Sequence, residues 1–394
     1  MSTQFDSSLF ADVADTLGLG NPAIVEKDYY VVQLLLLMNE VVPSFHNIVF
    51  SGGTALAKSS IKTYRMSEDV DLKIVPSKAF HELPSRSTRK KVRKEIRRAV
   101  EKIFDTSTLL SIDGKVEVLD EYRYMCFNIR YPQAYQQAPC LRPFIKLEFT
   151  ESNVLIKPEG RQISSIYAEV LKQPCEISSI PCAIIIETQA EKIVSMLRRT
   201  ASFARNDQRA DDETLIRHIY DTYHIQQTEP SDIVELRALI AQIIEIDVQR
   251  YGNQHAEFVT SPTGELRYGL QLLSSEPIHE HRYTQYLAPM VYAEKPVNWE
   301  DAFAVFRNLS EQVIERLDVR RAQVLVEAII VEVLEADGIN LGLQWISEQG
   351  GMLQFNNGTT VPVGSLAVAA EQAQDTTVTQ NIIGTESGNV TPYT

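Results

Sequence analysis

The stretch from residue 48 to residue 74 constrains this chain most. A strand-like run, Ile48-Val49-Phe50, ends in Ser51-Gly52-Gly53-Thr54, and a short helical stretch follows from Ala55 to Lys62. The chain then alternates, with Asp69, Asp71 and Lys73 on one face and Val70, Leu72 and Ile74 on the other. Side chains two apart on a strand share a face, so the apolar set predicts a sheet with a core on one side. The same geometry lets Asp69 and Asp71 point at one spot, where two carboxylates can share divalent cations. Two glycines in the turn let backbone N–H groups approach a phosphate closely. Lys58, Arg65 and Ser67 can donate to phosphate oxygens. Phosphoryl-type transfer needs chiefly positioning and charge neutralisation, and this set offers both. Either part alone is common, in solvated edge strands or in glycine turns. The order and spacing together are specific.

Ile145-Lys146-Leu147-Glu148-Phe149 alternates in the same way, and Glu148 leaves the apolar face. On a strand beside the paired aspartates, Glu148 is the expected third acid. It would hold a second metal and take the proton from an incoming hydroxyl.

Around these motifs, residues 1–45 read as helical, with Ile24, Tyr29, Val32 and Leu36 at helical spacing after Pro22. Residues 86–104 read as an amphipathic helix with Val92, Ile96, Val100 and Ile103 inward. Strands are expected over 115–120, 122–130 and 143–150. This order gives an α/β or α+β domain of about 160 residues. From Thr188 the chain turns helical, with Thr188 and Glu191 as a capping box for a helix carrying Ile193, Leu197 and Ala201. A further helix is expected over 211–225 and several more over 231–317. The expected segments are 1–160, a sheet-bearing core; 161–308, helical; and 309–394, a tail.

Charge separates these segments. The net charge is −14, yet no Lys or Arg follows Arg321, whereas eight acids do. After Trp345 the chain is rich in Gly, Thr, Asn and Gln, with little periodicity. Residues 86–102 hold nine basic and two acidic side chains. Such a helix is a candidate for contacting an RNA backbone through Arg89, Lys90, Arg93 and Arg97, although charge runs are also ordinary solvated faces. His279-Glu280-His281 reads as surface residues, because on a helix the two histidines point apart. The four cysteines form no CxxC pair, which argues against a cysteine zinc site and suits a reducing compartment. The start, MSTQFDSSLF, lacks the features of a signal peptide, and no apolar run reaches the roughly 20 residues a span needs. The expectation is a cytoplasmic protein without a membrane partner.

Gly52-Gly53-Thr54-x-Leu56-x-Lys58, followed by Arg65-x-Ser67-x-Asp69-x-Asp71-Leu72, resembles the signature of the AbiEii/AbiGii-type nucleotidyltransferase toxins of the DNA polymerase β-like superfamily. Glu26-Lys27-Asp28-Tyr29 and Arg217-His218-Ile219-Tyr220-Asp221-Thr222-Tyr223 add to the likeness, which covers about residues 10–230. The resemblance implies an α+β fold: a polymerase-β-like core with a mixed sheet, then a helical domain and a poorly ordered tail. It implies transfer of a nucleoside monophosphate from an NTP, with Mg²⁺ and release of pyrophosphate. In the family's mycobacterial branch the acceptor is the 3′ end of tRNA, and such toxins are encoded beside an antitoxin.

Matched position by position, Asp69, Asp71 and Glu148 would be metal ligands, with Glu148 standing where Asp is usual. Gly52, Gly53, Thr54, Lys58, Arg65 and Ser67 would surround the triphosphate. Lys192 and Asp221 match the lysine and aspartate that the family uses in its helical half, and Glu26 and Asp28 would at most support them. Simpler readings exist for both: Lys192 as a solvated lysine opposite Ile193 and Leu197, and Asp221 as a surface ion pair with Arg217, worth about 0.3–0.5 kcal/mol. Two other classes of function compete, a nucleotide- or partner-binding module without catalysis and a nucleotidyltransferase acting on protein or a small molecule. The basic helix favours a polyanionic acceptor.

The run from Leu317 to Val333, then Asn340-Leu-Gly-Leu-Gln-Trp345 and Gly351-Met-Leu-Gln-Phe355, resembles another family, the outer-membrane secretins of type II secretion. The likeness begins near Leu309 and reaches at least Ala370. It implies a joined fragment without a pore of its own, since a barrel must close to satisfy its backbone.

Overall fold

Two helices, α1 (Leu9–Thr16) and α2 (Ala23–Met38), lead into β1 (His46–Ser51), which runs into the short helix α3 (Gly52–Ala57) and returns as β2 (Asp69–Pro76). After α4 (Lys78–His81) and the basic helix α5 (Arg86–Thr106) come β3 (Ser111–Ile112), β4 (Glu117–Leu119), β5 (Tyr124–Arg130), β6 (Ile145–Glu151) and β7 (Glu159–Ile163). Helix α6 (Ile166–Val170) then leads to β8 (Ile177–Cys182). This is a computed structural model that describes residues 6–137, 141–205 and 211–317, and beyond them the backbone of five short strands between residues 331 and 393.

The eight strands form one mixed sheet in the order β3-β5-β6-β2-β1-β8-β7, with β4 also paired to β5. β1 and β2 are antiparallel, while β6 lies parallel to β2 on one side and β8 parallel to β1 on the other. The alternation read from sequence decides the faces. Val70, Leu72 and Ile74 of β2 and Ile145, Leu147 and Phe149 of β6 are buried against α2 and α5 in one core, which leaves the acids on the opposite face. Ile96 and Val100 of α5 enter that core as expected, and Phe104 joins them.

Helix α2 differs from its expected amphipathic form. It is buried on nearly every side, Glu26, Lys27 and Asp28 included, while Leu36 is exposed. One flank packs on the sheet and another meets Phe10 and Val13 of α1, so no side is left for water. The sheet also runs past residue 160, since β7 and β8 come from 159–182. The boundary expected at 160 falls inside the sheet.

Beyond β8 the chain is helical: α7 (Ile185–Arg205), α8 (Arg217–Thr228), α9 (Ile233–Tyr251), α10 (Ala256–Thr260), α11 (Pro262–Ser275), α12 (Ile278–Arg282) and α13 (Trp299–Leu317). Helix α7 starts before Thr188, whose N–H bonds the Ile184 carbonyl 3.0 Å away, so Thr188 and Glu191 lie within the helix and do not cap it. Helices α7, α8, α9, α11 and α13 share a second core around Ile193, Leu197, Tyr220, Leu236, Leu266 and Phe306. Leu309, Val313 and Ile314 belong to it, so this unit continues past residue 308.

The chain divides into two compact units, Met1–Val319 and Arg320–Thr394. In the second, β9 (Val331–Glu335), β10 (Gly338–Ile346) and β11 (Met352–Phe355) form an antiparallel sheet, and β12 (Ile382–Glu386) pairs with β13 (Asn389–Tyr393). The expectation of a poorly ordered tail otherwise falls outside the described residues. Among the described residues no helix is long and apolar enough to cross a membrane.

Candidate active site

The open face of β2 and β6 carries the acids. In the parallel register Asp69 stands beside Lys146 and Asp71 beside Glu148, so sequence alternation on two separate strands becomes one cluster. Two carboxyls on paired positions of neighbouring strands disfavour each other's charge. Burial, followed by the charges of Glu148 and Asp69, pushes the Asp71 carboxyl well above the usual carboxylate range. Burial likewise raises Asp69. Glu148 also accepts from the Tyr124 hydroxyl and, at 3.0 Å, from the Lys146 ammonium.

The glycine turn lies against this cluster. Gly52 has φ +76°, a left-handed conformation, and a Cβ on it would stand 2.0 Å from Oδ2 of Asp71. A Cβ on Gly53 would stand 2.8 Å from Nη2 of Arg65 and 3.1 Å from Oγ of Ser67. Thr54 ties turn to strand: its hydroxyl meets Ser67 Oγ at 2.8 Å and donates to the Asp69 carbonyl. Helix α3 has only six residues, so its dipole can add little to anion binding here.

The helical half supplies a buried charge set. Asp221 on α8 is fully buried and accepts two bonds of 2.7 Å from Arg65 and one of 2.9 Å from Lys192 on α7. Burial would lift its pKa, but Arg65 and Lys192 hold it well below the usual carboxylate range. Neither simpler reading from sequence survives. Lys192 is buried rather than solvated, and Asp221 pairs across the fold and not with Arg217.

Gly52, Gly53, Thr54, Arg65, Ser67, Asp69, Asp71, Glu148, Lys192 and Asp221 are thus brought together. Two expected phosphate donors are already committed, however. The Lys58 ammonium lies 2.6 Å from Asp28 on α2, and Arg65 spends its remaining Nη1 on the Met66 carbonyl. Glu26 receives the Ala134 N–H at 2.7 Å, which makes it and Asp28 framework acids. On α5, Lys90 is exposed and Arg89 partly so, and Arg97 pairs with Glu101 at 2.8 Å. Arg93 departs from the expected RNA face: it is 2% exposed, bidentate on Glu151 and stacked over Phe80. His279 is buried and His281 exposed, so only the second is a surface residue.

Local sequence did not mark Arg142, which binds the Asp69 carboxylate and whose N–H bonds the buried Glu68 at 2.9 Å. Tyr124 and Arg217 were likewise not assigned to the site. For Tyr124, the signal available was only its place in the strand expected over 122–130; its approach to Glu148 comes from the pairing of β5 with β6.

Among the described residues no three His, Cys, Asp or Glu side chains already form a metal cage. The donor chemistry nevertheless fits a hard divalent cation. Asp69, Asp71 and Glu148 offer oxygens from neighbouring strands, and the crowding of negative charge that raises Asp71 is what such a cation would relieve.

The model of the nucleotidyl transferase AbiEii toxin family, a type IV toxin–antitoxin system, matches residues 35–305. The chain belongs to this family. An AbiEii chain of this kind is thereby a nucleotidyltransferase-family protein, and the match takes in the glycine turn, the three acids, Lys192 and Asp221.

A second likeness concerns a short segment. The chain is 56% identical over 64 residues to Secretin GspD 2 of Escherichia coli O78:H11, covering 16% of this chain and 9% of that protein. It is 49% identical over 78 residues to Secretin ExeD of Aeromonas salmonicida, covering 20% and 11%. It is 48% identical over 81 residues to Secretin GspD of Vibrio cholerae, covering 20% and 12%. The chain thus spans about a tenth of the length of these relatives, in keeping with a secretin-like fragment joined to an AbiEii body.

Proposed function

We propose that this AbiEii chain transfers a nucleoside monophosphate from an NTP to an acceptor hydroxyl, with the 3′ end of tRNA as acceptor. The observation that carries this reading is the pairing of Asp71 with Glu148 across β2 and β6, with the Gly52 turn packed against Asp71. In the reaction the acceptor oxygen bonds to the α-phosphorus as the P–O bond to the β-phosphate breaks. Pyrophosphate leaves, and the hydroxyl proton passes to the Glu148 carboxylate.

Asp69, Asp71 and Glu148 would hold Mg²⁺, two ions in this reading, which when bound neutralises phosphate charge and polarises the reacting oxygens. Gly52 and Gly53 let the turn pack against Asp71, Arg65 and Ser67, where a Cβ at either would collide, and their backbone N–H groups suit the polyphosphate. Asp221, clamped by Arg65 and Lys192, fixes the helical half against the turn, and Lys192 sets a positive charge near Asp71. The exposed residues of α5, Lys90, Lys91, Lys94 and Arg98, suit the backbone of a polyanionic acceptor. A cognate antitoxin and action in the cytoplasm complete the reading.

The test is incubation with each α-labelled NTP, Mg²⁺ and total RNA, comparing the wild type with Asp71→Ala. Label at tRNA 3′ ends from the wild type alone is the expected result. Label in protein, or in nothing, overturns it in favour of another acceptor or of a binding module.

A further inference from the structure

Several cations lie in or around the acidic face, and most have carboxylate partners. Lys192 and Arg65 are held by Asp221, Arg142 binds Asp69, and Lys146 meets Glu148. Arg217 differs. It begins α8, one turn before Asp221, in electrostatic range of Asp69, Glu68, Arg65 and Arg142. Among the described residues no carboxylate pairs with it. Its Nε is buried without a hydrogen-bond partner, and one Nη lies 3.1 Å from the Met290 sulfur, a weak acceptor. Arg217 is partly exposed, but a buried Nε left without a partner is costly, and burial together with the Arg65 charge lowers its pKa. The guanidinium thus keeps donors that an incoming anion can use.

We propose that Arg217 binds the polyphosphate tail of the nucleotide, contacting the phosphates that leave as pyrophosphate. This deepens the transfer reading above and rests on it. The position of Arg217 favours a nucleotide tail over an RNA backbone. An Nη of Arg217 contacts Met290, whose carbonyl accepts from the N–H of Met66 next to Arg65, and Nη2 of Arg65 lies 2.8 Å from where a Cβ on Gly53 would stand. Lys58 is paired with Asp28, and Arg65 shares Asp221 with Lys192, whereas Arg217 has no carboxylate of its own among the described residues. Its planar fork also suits bidentate contact with phosphate oxygens.

The experiment measures binding of inorganic tripolyphosphate by calorimetry to the full chain, wild type against Arg217→Gln and Arg217→Lys, with thermal melting of each. The expected result is about 10- to 100-fold weaker tripolyphosphate binding for Arg217→Gln, as befits removal of one charged hydrogen-bonding group, with partial recovery in Arg217→Lys. Without ligand, Arg217→Gln should melt at or above the wild-type temperature, because a partly buried charge without a carboxylate partner is gone. A merely structural arginine would lower it. In transfer assays the KM for NTP should rise more than kcat falls. Unchanged tripolyphosphate affinity in a folded Arg217→Gln overturns the proposal, as does weaker binding of a short RNA strand with tripolyphosphate binding intact. Failure of the wild type to transfer label from any NTP, with tripolyphosphate binding still dependent on Arg217, sinks the transfer reading and leaves the anion site standing.

Discussion

Oδ2 of Asp71 occupies the space that a β-carbon on residue 52 would need, 2.0 Å away. Turn and acid are therefore one unit, and a methyl group suffices to separate them. Gly52→Ala should cost about 1–2 kcal/mol for the left-handed backbone at φ +76°. Activity should fall far more, by at least about 100-fold, since an ångström of misplacement alone can cost that much. Melting and transfer rate measured on the same preparation separate the two effects. Equal, small losses in both would mean that Asp71 can move aside without consequence.

Asp71 also makes stability depend on pH. Its pKa is raised in the folded chain, so between the ordinary aspartate range and that raised value the native state holds a proton that the unfolded chain has lost. Without divalent cations, stability should therefore fall as pH rises through this window. Urea unfolding in EDTA should give a midpoint that falls as pH rises above the ordinary aspartate range, and Mg²⁺ should restore more at the high-pH end, where protons compete less. Asp71→Asn should flatten the profile and abolish transfer.

The Asp221 cluster acts with the opposite sign. Its carboxyl is held below the usual range, so its contribution is complete above the ordinary aspartate pKa and is lost as pH falls from about 5. Glu151 adds to this loss in acid: burial opposes its ionisation, but His46 and Arg93 bring it down to about 2. Asp221→Asn leaves Arg65 and Lys192 buried without a counter-charge and should cost about 3–5 kcal/mol at pH 7. The difference from wild type should shrink toward pH 3, as followed by thermal melts across the range.

Much of the site could be read along the chain. The alternation in 69–74 and 145–149 placed Asp69, Asp71 and Glu148 on one face because strand period is local. That those two strands are neighbours, with Asp71 opposite Glu148, depends on pairing across 77 positions of sequence, for which the resemblance and not the pattern spoke. The pairing of cations was hidden for the same reason. Lys58 and Arg65 look like free phosphate donors until Asp28 and Asp221, distant in sequence, are seen to neutralise them. Strands β7 and β8 escaped because EGRQI holds one apolar residue and ISSIPC reads as a turn-rich loop. Only burial between β1 and β7 makes Ile177, Ile180 and Cys182 a strand.

Where the first unit ends can be checked by truncation. A chain ending at Val319 keeps α13 whole and should melt and transfer like the full chain. A chain ending at residue 308 loses Leu309, Val313 and Ile314 from the helical core, where each buried aliphatic side chain contributes about 2–5 kcal/mol. It should be insoluble or lose cooperative unfolding. A well-folded 308-residue chain would show that the end of α13 is dispensable.

On α5 the inward and outward basic residues should behave differently. Arg93→Ala breaks the buried interactions with Glu151 and Phe80 and should lower the melting temperature. Lys90→Glu with Lys94→Glu should leave melting unchanged and weaken RNA binding. The salt dependence of that binding should become shallower by about 0.7 for each single-strand phosphate that α5 no longer neutralises. A salt slope identical to wild type would take α5 out of the acceptor path.

Arg65 and Asp221 meet across 156 positions of the chain. During synthesis, the guanidinium leaves the ribosome long before its carboxylate exists. Any nascent or prematurely terminated product that stops short of α8 has the glycine turn and all three acids but an unpaired arginine among them. A chain stopped there would also lack the clamp that joins the helical half to the glycine turn.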